Sequence, residues 1–199
     1  MAVVAYQTAA RELLQQTLLD AGHALLKQRV WSAITMGEIA RDAGVSRQTL
    51  YSAFGTREDF ARALVLREGD RFVSLVERAI RANAPDAELA LTAAFDVFLG
   101  DAARDPLIRS VIAAGDGPDT LLPLLTIRGR PLLERCAERL ADVIESCWEH
   151  VPSDDARRLS ECIVRLAISF AALPPAAGPG AAEEIASVLA PYVRELTQD

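Results

Sequence analysis

Two helix-start signals in quick succession, separated by a single corner glycine, constrain this chain more than anything else in it. Thr35 and Glu38 form an S/T-x-x-E box, in which the hydroxyl accepts from the third helical amide and the carboxylate reaches back to the cap amide, so a helix begins at Met36. Ile34 before the cap and Ile39 inside it can close as a hydrophobic staple, and Ile39, Ala40 and Ala43 give this helix a buried side. Gly44 stops it, because a left-handed residue costs glycine no Cβ clash. Ser46 then caps a second short helix running through Phe54, with Val45 stapled to Leu50, and Gly55 ends it. Two short helices around such a corner make a helix-turn-helix, a unit whose second helix enters the major groove of DNA.

In that second helix Leu50 and Phe54 lie four apart and point inward, leaving Arg47, Gln48, Tyr51 and Ser52 on the outer side. Those residue types suit a groove. Arginine pairs bidentately with guanine and glutamine with adenine, both here stand in the first turn, and the hydroxyls suit phosphates. Thr56 caps the next helix, whose first amides, with Arg57 beside them, form a further phosphate seat.

From about Leu13 to Leu64 the chain resembles the DNA-binding domain of the TetR (AcrR-type) transcriptional regulators. The resemblance rests on Trp31, Thr35, Ile39-Ala40, Ala43-Gly44-Val45-Ser46, Thr49-Leu50-Tyr51, Phe54 and Arg57-Glu58-Asp59. It implies that Thr35, Ser46, Thr49, Tyr51 and Arg57 hold phosphates while Arg47 and Gln48 read bases. Two departures stand out. Val30 occupies a position where the family usually has glycine, so the turn after the first helix is expected to be built differently. Ala53 stands where histidine is frequent, which removes one backbone contact and predicts weaker non-specific affinity, with more dependence on Arg47 and Arg57.

A net charge of -7 argues against a DNA binder only until it is divided along the chain. Through Phe60 the bases Arg11, Lys27, Arg29, Arg41, Arg47 and Arg57 balance the acids Glu12, Asp20, Glu38, Asp42, Glu58 and Asp59, and everything beyond carries the excess. That asymmetry fits a DNA-facing end with an acidic body held away from phosphates. No run reaches the roughly 18 apolar residues of a membrane helix, and the start lacks a signal-peptide pattern, so a cytoplasmic protein is expected. Cys136, Cys147 and Cys162 show no C-x-x-C spacing and sit on apolar stripes, which reads as core thiols rather than a zinc site. No cofactor or metal is expected.

Beyond the reader, helical stripes recur and no period-two alternation appears, so the fold class is all-α with nine to ten helices. The first helix is expected over Thr8 to Arg29, with Ala10, Leu13, Leu14, Leu18, Ala21 and Leu25 on its packed face, and a long one over Arg57 to Ala82. Further helices are expected around Ala90 to Leu99, over Pro106 to Ala114, on both sides of a break at Arg128 to Pro131, after a cap at Ser153, and around Ile185 to Leu196. Gly115 to Asp119 reads as a turn and Pro174 to Gly180 as a loop. The division expected is a DNA-binding domain over 1–56 and an effector-binding and dimerisation domain over 57–199.

In the resembling family the last two helices of each subunit form the dimer interface. Here those helices are expected to pair with each other and present Leu159, Ile163, Leu166, Ala167, Phe170, Ile185, Val188, Leu189 and Tyr192. An effector pocket is expected among Phe95, Phe98, Ile112, Leu122, Leu125, Leu133 and Trp148, with Arg128 as an anchor for an anionic group. The function these readings give is a repressor that binds a palindromic operator as a homodimer and leaves it when a small hydrophobic effector enters. The alternative is an activator or architectural DNA binder without effector. His23 and His150, the only histidines, have no nucleophile or metal-ligand partner at useful spacing, which argues against an enzyme.

Overall fold

The capping signals near the N-terminus form as the spacing predicts, and the rest of the chain stacks amphipathic helices onto the helix they lead into. The computed structural model describes residues 2–113, 121–173 and 180–197. Among these lie ten α-helices and one 3-10 turn, with no strand. The reader comprises α1 (Ala2–Leu26), the 3-10 turn Trp31–Ala33, α2 (Met36–Asp42) and α3 (Arg47–Phe54). The long α4 (Arg57–Ala82) leads into α5 (Ala87–Ala102), α6 (Pro106–Ala113), α7 (Leu122–Leu125), α8 (Arg130–Cys147), α9 (Ser153–Ala172) and α10 (Ala181–Thr197). The expected turn at Gly115 to Asp119 lies outside the described residues, as does the loop from Pro174 except its last glycine.

α1 starts earlier than its sequence pattern predicts, and Leu13, expected on its packed face, is 64% exposed. From Tyr6 through Leu13 the helix is exposed, and its core contacts begin with the half-buried Leu14 and the buried Leu18, Leu19 and Ala21. The departure at Val30 is accommodated without a left-handed residue. α1 unwinds at Lys27 and Gln28, and Val30, extended at φ -69 and ψ 154, leads into the 3-10 turn.

α4 serves both regions. Its first turns close the reader, where Phe60 stacks on Trp31 with ring centroids 6.2 Å apart and meets Phe54 edge-on at 4.8 Å. Further along, Phe72 packs on Phe98 at 5.3 Å. In the body, α10 packs along α5, and α9 along α8. This corrects the expected α9–α10 pair: each apolar stripe is satisfied by an earlier helix of the same chain. The cap of α9 also shifts by one, since Pro152 holds that position and Ser153 is already helical.

A chain of ion pairs binds the two regions. Glu68 of α4, only 4% exposed, has Oε1 3.0 Å from Nδ1 of His23 in α1, at ion-pair range but off the line of a good hydrogen bond. Its other oxygen accepts from Arg71 Nε at 2.7 Å, and Arg71 goes on to Asp101 at 2.5 Å and Asp105 at 2.6 Å. Asp105 also accepts from the amides of Leu107 and Ile108, so the same carboxylate starts α6. From α6, the Ser110 hydroxyl accepts from the buried backbone amide of Trp31 at 2.8 Å.

Candidate nucleic-acid interface and effector cavity

The geometry of the reader follows from its caps. The amide of Glu38 donates to Thr35 Oγ1 at 3.3 Å, while the amide and hydroxyl of Thr35 both donate to the Glu38 carboxylate at 2.8 Å. Hydrogen bonds from Thr35 hold the Glu38 carboxyl far below the usual carboxylate range, at about 2, and Arg29, donating at 2.9 Å, adds to the effect. Ser46 Oγ accepts from the Thr49 amide at 3.0 Å and lies 2.8 Å from the Thr49 hydroxyl. Between them Gly44 has φ 70 with open space around its missing Cβ, so glycine is required there by backbone conformation alone.

This leaves Arg47, Gln48, Tyr51 and Ser52 exposed on α3, while Leu50 is fully buried and Phe54 half-buried. Thr49 is half-buried. Arg47 has no hydrogen bond or ion pair among the described residues, so all its donors are open to a base edge or a phosphate. Its guanidinium lies over α2, where a Cβ on Gly37 would come within 2.3 Å of Nη2. Gly37 was missed as a site residue in the sequence; its signal was a glycine inside a short helix with no turn to justify it.

Arg57, expected at a phosphate, is also tied into the reader itself. Its Nη1 donates to the carbonyl of Ile34, its Nη2 donates to that of Trp31 at 2.7 Å, and its Cζ sits 4.2 Å from the Trp31 ring centroid. A half-buried guanidinium tied to two carbonyls and an aromatic face braces the turn before α2. Thr56 caps α4 through a second box, with Thr56 Oγ1 donating to Asp59 at 2.6 Å and accepting from the Asp59 amide at 3.1 Å. Gln15 of α1 donates to the Ala53 carbonyl at 3.2 Å, anchoring the end of α3 where histidine is absent.

The body holds an apolar cavity of about 90 Å³ between α4, α5, α6, α8, α9 and the end of α7. Of the expected pocket residues, Phe95, Phe98 and Leu125 line it. Leu133 instead faces an open groove beside Arg130 and Arg165, because on α8 Leu132, Cys136 and Leu140 take the inner stripe and the next residue lies about 100° round the helix. Trp148 lines a smaller recess with Val193 and Leu196. Ile112 is 48% exposed, Leu122 is half-buried on α7 away from the cavity, and Arg128 pairs with Glu58 at 2.6 Å, so none of these reaches it.

The expected dimer residues divide in the same way. Leu159 and Ile163 are buried in the chain's own core, and Ile163 and Ala167 wall the cavity. Leu166, Phe170, Ile185 and Leu189 are half-buried, while Val188 and Tyr192 are 78% and 37% exposed. The cysteines separate too. Cys136 is buried, and burial pushes its thiol up to about 12; Cys147 is half-buried; Cys162, expected in the core, is exposed on α9.

Comparison with known proteins agrees with this arrangement. Residues 18–64 match the bacterial regulatory proteins of the tetR family, and residues 86–191 match the bacterial tetracyclin repressor C-terminal domain. The chain is 38% identical to the HTH-type transcriptional regulator AlkX of Mycobacterium tuberculosis, over 95% of its own length and 89% of the relative's. It is similar in structure to the TetR family repressor AlkX from Dietzia, implicated in biodegradation of n-alkanes, with TM-score 0.83, 38% identity, and 92% and 97% of the two chains covered. A TetR-family regulator from Streptomyces coelicolor, at 23% identity and TM-score 0.61 over 92% and 99% of the chains, shares the fold. With the capped reader, the helical body and both domain matches in place, the chain belongs to the TetR family of bacterial transcriptional regulators.

Proposed function

We propose that this regulator is a repressor that binds a palindromic operator in the cytoplasm as a homodimer and is released by a small apolar effector derived from hydrocarbon metabolism. The observation that carries the reading is that α4 is shared: it closes the reader through Phe60 and walls the apolar cavity through Val65, Phe72 and Val73. A ligand that enlarges the cavity therefore pushes on the helix that sets the attitude of α3. Two recognition helices must sit about 34 to 36 Å apart to reach successive major grooves, so a small tilt of α4 in each subunit costs operator affinity.

In this reading Arg47 and Gln48 read bases, Ser46, Thr49, Tyr51 and Ser52 meet the backbone, and Thr35 contributes through its cap. The dimer face centres on the exposed Val188 and Tyr192 with the half-buried Leu166, Phe170, Ile185 and Leu189 around them. The kinship to the Dietzia repressor implicated in biodegradation of n-alkanes supports a hydrocarbon-related effector. The test is footprinting to find the operator, followed by anisotropy titrations. Arg47→Ala is expected to weaken operator binding by about 1 to 3 kcal/mol and relax preference at one base pair. Equal weakening on operator and random DNA would overturn the base-reading role.

A further inference from the structure

The cavity can take only part of a molecule that has a polar end, and the fold offers a place for the rest. The exposed wall of the cavity is hydrocarbon, because the Glu68 carboxylate is turned to His23, Arg67 and Arg71. An oxygen drawn wholly inside would lose its water and gain no partner. Volume limits the occupant as well. An apolar cavity of about 150 Å³ takes benzene, so one of about 90 Å³ holds only a few carbons of a chain before it must widen.

Next to the cavity lies the open groove that Leu133 faces, with a volume of about 690 Å³. Leu125 and Ile168 line both spaces, so these two side chains are the partition between them. That partition is lightly held. Leu125 ends α7, which is four residues long and has few backbone bonds to break, and Ile168 is half-buried on α9.

The groove is itself amphipathic. Ile127 and Leu173, 86% and 79% exposed, are the two most exposed large apolar side chains among the described residues, and both stand on it. Its polar members include two arginines in different states. Arg130 donates to Glu134 at 2.7 Å, whereas Arg165 comes no nearer to Glu161 than 3.8 Å and makes no hydrogen bond among the described residues. The Arg165 donors are therefore open to an oxygen.

Resting on the reading that the cavity takes the effector, we propose that this groove is the second half of the effector site. The ligand is a linear aliphatic molecule with one oxygen-bearing end; its chain passes between Leu125 and Ile168 into the cavity, and its oxygen accepts from Arg165. Methylenes outside the partition lie against Ile127, Leu133 and Leu173. Chain length then sets affinity well beyond what the cavity alone can hold.

The test uses the full-length dimer on its operator and the 1-alkanols from hexanol to dodecanol, with release followed by anisotropy. The concentration needed for release is expected to fall by about fourfold per added methylene through the whole series, as for continued burial of the chain. Ile127→Asp and Leu173→Asp change exposed side chains that do not line the cavity, so folding and operator binding should persist. Each is expected to raise the dodecanol concentration by more than about tenfold, the worth of two buried methylenes, and to leave hexanol unchanged. Arg165→Met keeps the stem and removes the donors, and is expected to cost dodecanol about fivefold, the worth of one hydrogen bond. A potency that stops rising near six carbons, or groove variants that weaken hexanol and dodecanol alike, overturns the groove while leaving the cavity as the effector site. Silence from the whole series, with operator binding intact and no shift in melting, overturns the effector site as well.

Discussion

The reader and the body of this chain are both helical, yet they are filled to different degrees. In the reader, Trp31, Ile34, Ile39, Leu50 and Phe60 are at most 2% exposed, and three aromatic rings close on one another. In the body, by contrast, the packed helices leave a cavity of about 90 Å³ among Phe95, Phe98 and Leu132. Close packing is the rule for interiors, and each cubic ångström of void forfeits dispersion contacts. A reader must hold one shape against DNA, whereas a body that answers a ligand must keep a second arrangement within reach. The difference teaches where this protein stores its stability and where it gives some up.

The sharpest way to break that comparison is to remove atoms from the filled side. Phe60→Ala takes away the ring that contacts both Trp31 and Phe54, and it is expected to destabilise the protein by about 3 to 5 kcal/mol, measured by urea unfolding. A loss well under 2 kcal/mol would mean that the reader collapses around the gap and is no more rigid than the body.

Adding atoms should have opposite signs on the two sides. Gly22 lies where a Cβ would come within 2.9 Å of Phe60 Cε1, so Gly22→Ala is expected to cost about 1 to 3 kcal/mol, although alanine is the better helix former. Ala94, buried on α5 at the cavity wall, offers the converse: Ala94→Leu is expected to stabilise by about 0.5 to 2 kcal/mol and to abolish release by ligand while operator binding persists. Destabilisation by both would show that the cavity is not available space.

What the sequence made legible follows the same division. The caps at Thr35, Ser46 and Thr56 act over three residues, so their sequence pattern carries the geometry that the structure shows. The bracing of the reader by Arg57 could not be read from the sequence, because its partners, the carbonyls of Ile34 and Trp31, leave no mark on side-chain pattern. In the body, stripes on α8, α9 and α10 told which faces are apolar, but not which helix covers each. Ile163 and Ala167 read as interface residues and wall the cavity, whereas Leu133 read as a cavity residue and faces outward. The Glu68 network escaped notice for a similar reason: its members come from α1, α4, α5 and the start of α6, far apart in the chain.

The smallest effect probes the local kind of stability by itself. Thr35→Ala removes a cap hydroxyl from the Glu38 amide and is expected to cost about 1 kcal/mol near neutral pH. Its pH dependence separates the cap from mere packing. Glu38 has its folded pKa lowered to about 2, first by Thr35 and then by Arg29, so its contribution is complete above the unfolded value of about 4.3 and is lost as pH falls toward 2. Without the Thr35 hydroxyl the carboxyl returns part of the way to its ordinary value, and the variant has less to lose on acidification. The gap between wild type and variant should therefore narrow from about pH 5 downward in thermal melts. Glu68, also held at about 2 but by His23 and Arg71, keeps its full acid dependence in the variant and serves as the internal reference. A gap that stays constant down to about pH 2 would assign the loss to the threonine methyl and backbone, and would place this cap with packing, where the body's helices already stand.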